Sequence, residues 1–287
     1  MLTSAPDIAS VVLRALAYIL LFQATGVALF VASFGPRLSG SLRSVRLLGA
    51  TAAVAAIVLL SGHYALEAAR MAGEFSGSLD ASLQALVVRS STGGAFALRV
   101  TGLALVAFAL QTPSSWRRVG GVVGTLLAAI AFTLNGHTSV HADRPILAAM
   151  LMAHILIGMF WFGALLPLRL VSVRETPDTA ATIIETFSAV SVWLVPVILV
   201  AGVVMAALLV PGLATFGQPY GALLITKVVL FAVLMVLAAA NKWRFGPGIA
   251  RSAPAAVSGF RKSVVAEFVV ICVVLVVTVG LTTFYSP

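Results

Sequence analysis

Charge is what this chain has least of. Only 9% of its 287 residues are Asp, Glu, Lys or Arg, against about 25% in soluble domains, and 61% are hydrophobic. A chain so poor in charge cannot coat itself for water, which excludes the soluble classes. No polar block of domain size interrupts the apolar stretches, so residues 1–287 read as a single transmembrane domain with no soluble domain. A lone cysteine, Cys272, excludes an intramolecular disulfide and a thiolate-rich metal site. The apolar runs lack the alternation of a membrane β-barrel. There is no P-loop, no phosphorylatable Asp in a soluble lobe and no Ser, His and acid constellation, so we do not expect an enzyme.

What remains is a chain of apolar runs separated by clear breakers: Gly35-Pro36, Thr112-Pro113, Pro145, Pro211-Gly212, Pro219 and Gly246-Pro247. We expect an all-α polytopic membrane protein, a bundle of about eight helices at 9–33, 45–66, 95–111, 119–136, 146–170, 186–211, 221–241 and 263–284. The first run, from Ala9 to Ser33, is too long for a signal-peptide core and follows Asp7 rather than a basic stretch, so it is expected to stay as a helix. Lipid is therefore the principal partner. The net charge of +9 is dispersed over short loops, which argues against a nucleic-acid partner.

Topology explains those cations better. Alternate loops fall into two sets. One holds Arg37, Arg43, Arg46, Arg117, Arg118, Arg169, Arg174, Lys242, Arg244, Arg251, Arg261 and Lys262; the other holds only Arg70, Arg89, Arg99 and Arg144. The positive-inside rule then puts both termini outside the cytoplasm, with 67–94 as the largest outer segment, partly helical and interfacial.

With that orientation all four histidines, His63, His137, His141 and His154, fall at or near the outer side. His137 and His141 are four residues apart and share a face if the fourth helix continues through them, a spacing by which two imidazoles can hold one metal ion. On the fifth span Met150, His154 and Trp161 lie on one stripe. A thioether beside imidazoles suits copper better than magnesium or calcium. Gly62-His63 followed by Arg70 also echoes Gly136-His137 followed by Arg144, as if two related helix ends faced one site. We therefore take His63, His137, His141, His154 and Met150 as candidate metal ligands. Lys227 lies inside the seventh span on the stripe of Tyr220, and a buried ammonium needs a partner, for which Glu67 and Asp143 are the candidates.

The outer Gly136-His137, the helix carrying His154, Trp161 and Gly163, Phe187-Ser188 opening the sixth span, and Tyr220-Gly221 followed by Lys227 resemble the CopD family of inner-membrane copper-resistance proteins. The resemblance covers most of the chain. It implies eight helices in the bacterial inner membrane and a role in copper homeostasis, with copper ion, Cu(I) or Cu(II), taken from the periplasmic side and moved toward the cytoplasm beside a periplasmic copper-binding protein. Two other functions stay open. A haem b electron carrier would use the same imidazoles, with room for one haem in the outer leaflet. A copper-responsive membrane partner would bind without transport.

Overall fold

The computed structural model describes residues 4–112, 114–136, 141–210, 212–251 and 253–284, and no strand occurs among them. Ten α-helices follow in order: α1 Ala5–Phe34, α2 Leu42–Ala72, α3 Ala81–Arg89, α4 Ser91–Gln111, α5 Ser114–Ile130, α6 Arg144–Arg174, α7 Pro177–Leu209, α8 Pro219–Ala239, α9 Gly246–Ala250 and α10 Pro254–Phe284. A π-helical segment, Ala240–Phe245, joins α8 to α9.

Local sequence sets many of these boundaries. The Ser4 hydroxyl caps α1 through Asp7 N–H, Thr176 caps α7 through Thr179 N–H, and Asp80 caps α3 through Ser82 and Leu83 N–H. Proline occupies the first turn of α1, α6, α7 and α8, where no intrahelical partner for its nitrogen is needed. Gly73, at φ 79°, ends α2 in the left-handed conformation that glycine adopts without strain.

Among the described residues seven helices are long and apolar enough to cross a membrane, which establishes an all-α polytopic membrane protein. The fourth of the eight expected crossings falls on α5, which is shorter than those seven. Its 17 residues rise about 26 Å, and the 3₁₀ turn Ala131–Thr133 brings it near the roughly 30 Å of a hydrocarbon core. The expected helical character of 67–94 is found as the end of α2, the 3₁₀ turn Phe75–Leu79 and α3.

The bundle is organised around α1, which α2, α4, α5, α6 and α10 all contact. Its apolar surface runs all round, as a central helix requires: Ala17, Leu21, Ala24, Val27 and Phe30 have no exposed surface. Small residues allow the closest crossings. A methyl on Gly26 would strike the Met159 carbonyl and Gly163 Cα, so α1 and α6 meet backbone to backbone; Gly102 of α4 and Gly124 of α5 make a similar contact.

Alternating crossings give the bundle two ends. At the first lie the start of α1 and the ends of α2 and α10, joined by Arg70 to Asp7 at 3.0 Å and by Arg14 to Thr283 at 3.2 Å. At the second end, the Glu175 carboxylate after α6 accepts from Ser39 Oγ (2.9 Å), Gly40 N–H (3.0 Å), Ser41 N–H (2.8 Å) and Ser41 Oγ (2.5 Å) at the start of α2. Burial alone would raise its pKa, but these donors hold it down to about 2.

Three expectations are corrected. The fourth helix, expected over 119–136, is shorter: α5 ends at Ile130, a 3₁₀ turn follows to Thr133, and Gly136 takes φ 87°, a left-handed conformation that does not belong to a regular helix. The echo between 62–70 and 136–144 is therefore one of letters, since Gly62 lies within α2 while Gly136 lies beyond α5. Arg99, counted among the outer loops, belongs to α4 and is only 8% exposed.

Candidate functional site

His63 lies nine residues before the end of α2, on the face toward α1. Ser10 Oγ approaches its Nδ1 at 2.9 Å, and its Nε2 stands 3.5 Å from Glu67 Oε1. Glu67 also accepts from Arg70 Nη1 at 3.2 and 3.3 Å, and Arg70 Nε donates to Asp7. Nδ1 has a hydrogen-bond partner in the Ser10 hydroxyl, and Nε2 faces the Glu67 carboxylate. Both ring nitrogens of His63 are thus engaged within the α1–α2 contact.

Beneath it lies a buried cation that the sequence pattern did not single out. The guanidinium carbon of Arg99 sits 4.8 Å from the Phe132 ring centre and 5.3 Å from that of Tyr18, and Arg14 Nε donates to the Tyr18 hydroxyl at 3.2 Å. Among the described residues, aromatic faces rather than a carboxylate hold this charge.

His154 has a different arrangement. On α6, ten residues after Arg144, its Nδ1 is 3.2 Å from the Ile198 carbonyl oxygen of α7. A carbonyl cannot donate, so Nδ1 bears the hydrogen and the lone pair of the neutral ring is on Nε2. A metal-binding imidazole is held in the same way, with one nitrogen tied to a carbonyl and the other left as ligand. Gly202 of α7 lies beside the ring, where a methyl would meet His154 Cε1 in ordinary contact at 3.7 Å.

The other candidates are dispersed. His141 stands on the turn before α6, where its Nδ1 accepts from Asp143 N–H at 3.1 Å and lies 3.7 Å from Asp143 Oδ2. His137 lies outside the described residues. Met150 is one turn before His154 on the continuous α6. Among the described residues no three His, Cys, Asp or Glu side chains are grouped closely enough to hold a metal ion. Lys227 of α8 lies within electrostatic range of His154 and, among the described residues, has no ion pair with the partners expected for it. Glu67 is taken by Arg70 and His63, and Asp143 lies beside His141. Tyr220 is buried in the first turn of α8.

The residue most clearly missed by sequence reasoning is Glu267. It lies in α10 and is 2% exposed. Its Oε2 accepts from Trp161 Nε1 of α6 at 3.3 Å, and its Oε1 accepts from Asn241 Nδ2 in the π segment. The signal was present, because a carboxylate inside an apolar run such as VVAEFVVICVVL requires a role or a partner.

Long apolar helices and small-residue crossings define a polytopic helical membrane protein. The family follows from two matches: the model of copper resistance protein D covers residues 181–281, and that of the copper resistance protein D-like N-terminal domain covers residues 5–144. The chain belongs to the copper resistance protein D family. No curated protein and no solved structure gives a significant match. Family membership associates the chain with copper resistance and homeostasis in a membrane.

Proposed function

We propose that this protein takes copper from the periplasmic side of the bacterial inner membrane and moves it toward the cytoplasm, with His63, His137, His141 and His154 and the thioether of Met150 forming the capture site. The observation that carries the proposal is His154, whose Nδ1–H is tied to the Ile198 carbonyl so that Nε2 has a ligand lone pair. In a family of copper-resistance proteins, a preset imidazole inside a membrane-spanning helix is best used on the metal. Copper is the cargo here, and a periplasmic copper-binding protein is the donor that suits an outward-facing site.

The orientation draws on the cation count. With Arg99 removed to the interior of α4, the sparse set of loops keeps only Arg70, Arg89 and Arg144, and the contrast with the other set sharpens. His63, His141 and His154 all belong to the end of the bundle where α1 begins, the end that this rule turns away from the cytoplasm. Capture at His63 would require its ring to leave Ser10 or Glu67, whereas His154 needs no such release.

The test is copper accumulation in cells at limiting copper, comparing the parent with His63→Ala, His137→Ala and His154→Ala at matched expression. The expected outcome is lowered accumulation in each, deepest for His154→Ala, where capture weakens by roughly 10-fold or more. Accumulation equal to the parent in all three would overturn the proposal. Metal analysis with an optical spectrum of the purified protein separates copper from haem, since a Soret band lost in His154→Ala would replace this reading by electron transfer.

A further inference from the structure

Midway along the bundle, away from the histidines, three helices meet at one carboxylate. Glu267 is the fourteenth residue of α10, and Trp161 is the eighteenth of α6. Its two oxygens receive one indole N–H and one amide N–H, both neutral donors. The elements packed on α10 carry the titratable groups Asp7, Arg14 and Tyr18 of α1, Arg144, His154, Arg169 and Arg174 of α6, Tyr220 and Lys227 of α8, Lys242 and Arg244 of the π segment and Arg251 after α9. Arg261, Lys262 and Cys272 are on α10 itself. Among the described residues none of them pairs with Glu267. A carboxylate so enclosed is costly as an anion, and a bound proton removes that cost.

Two further features show where the proton would be accommodated. Asn241 Oδ1 and Ser263 Oγ are both buried without a hydrogen-bond partner, although Asn241 already touches Glu267 and Ser263 lies one turn before it on the same face of α10. Ser263 is only 8% exposed. An amide presents a donor on one side and an acceptor on the other. With Glu267 ionised, Asn241 Nδ2 donates to it, as the structure shows. With Glu267 protonated, rotation of the amide would offer the orphaned Oδ1 to the new O–H. The π segment supplies the placement, since an i→i+5 turn inside a regular helix is a frequent feature of functional sites.

We propose that Glu267 is a proton-binding site at the centre of the bundle, its carboxyl gaining and losing a proton while the Asn241 amide turns to match. On uptake one O–H bond forms at Glu267 Oε1 with a proton given up by water at an aqueous face. On release that bond breaks and the proton returns to water, with no electron transferred. Trp161 keeps its bond to Oε2 in both states and so fixes the carboxyl plane. The site joins α8, the helix least enclosed by protein, to the core, so a change of proton alters the hold on a peripheral helix.

The test is infrared titration of the full chain in lipid nanodiscs without metal, so it stands or falls apart from the copper reading. The parent is expected to show the carbonyl stretch of a buried protonated carboxylic acid that is lost reversibly as the proton is released. Glu267→Gln should abolish that band. Asn241→Leu removes the amide from both states, and because a hydrogen bond to the anion is stronger than one to the neutral acid the proton affinity should still rise; Trp161→Phe should move it in the same direction. The proposal is overturned if the parent shows no such band, or if Glu267→Gln retains it. Should Glu267→Gln fail to fold, an unmoved titration in both Asn241→Leu and Trp161→Phe overturns it equally.

Discussion

The central helix α1 and the outer helices α7 and α8 are apolar to comparable degrees, yet they are held in opposite ways. In the most hydrophobic stretch of α1, 72% of residues are buried inside the protein; in α7 the share is 11% and in α8 it is 6%. The first is locked by close backbone crossings and by the hydrogen bonds of Thr125 Oγ1 to Thr25 O and of Gln23 Nε2 to Gly163 O. The second pair faces lipid, and among the described residues one side-chain bond ties each crossing inward: His154 to Ile198 for α7, and Asn241 to Glu267 for α8 with its π continuation. Hydrophobicity therefore places a helix in the membrane, while polar and small residues decide what it is fixed to. The two polar joints also coincide with the residues to which function is assigned.

The largest expected effect breaks the tight side of this contrast. Gly26→Leu would drive a side chain into the α6 backbone and should cost more than about 3 kcal/mol, seen as near-complete loss of folded protein in membrane extracts. Gly202→Ala, beside His154 on the loose side, should leave folded yield unchanged because its methyl meets only ordinary contact. Equal losses in the two would erase the distinction.

Next in size is His154→Ala. Removing one interhelical hydrogen bond should lower stability by only about 0.6 to 1.7 kcal/mol, measured as a modest fall in the detergent melting temperature, while copper accumulation falls far more. A stability loss like that of Gly26→Leu would make His154 structural.

A smaller effect follows from Glu175 on the short connection between α6 and α7. Its pKa is depressed from 4.5 to about 2, so the stabilisation is fully present above about 4.5 and is lost as pH falls toward 2. Melting temperature followed through that window should decline more steeply in the parent than in Glu175→Gln, which has already lost the carboxylate. Parallel declines would remove Glu175 as a clasp between the two connections.

The smallest expected effect on folding is that of Lys227→Met. With no ion pair depending on it among the described residues, folded yield should equal that of the parent. Normal yield with reduced copper accumulation would assign Lys227 to the transport path, and a fall in yield would show that its ammonium anchors α8 after all.

Much of this architecture is legible in the residues. Continuous apolar runs with Gly and Pro between them mark the crossings, since backbone groups in lipid have no partner but their own helix. The ends are less legible: α2 and α10 run well past their apolar cores, because helical winding continues where charged residues leave the lipid. Of the candidate site, His63 and His154 stood out by type and depth. Their unequal chemistry did not, because it depends on whether Glu67 or the Ile198 carbonyl lies opposite. Glu267 was visible as a letter, but its partners, Asn241 and Trp161, lie 26 and 106 residues earlier in the chain, and no local period reports them.

The π segment Ala240–Phe245 has a consequence for how the last third of the chain is counted. A wheel drawn from Tyr220 through Lys227 stays in step to Ala239 and then slips, because each i→i+5 turn holds one residue more than a regular turn. Deleting Ala240 would let regular winding resume, with every side chain intact, and would swing Asn241 away from Glu267. That contact is written into the chain as a length, so a residue with no functional group of its own carries as much of the information as the amide and the carboxylate that meet.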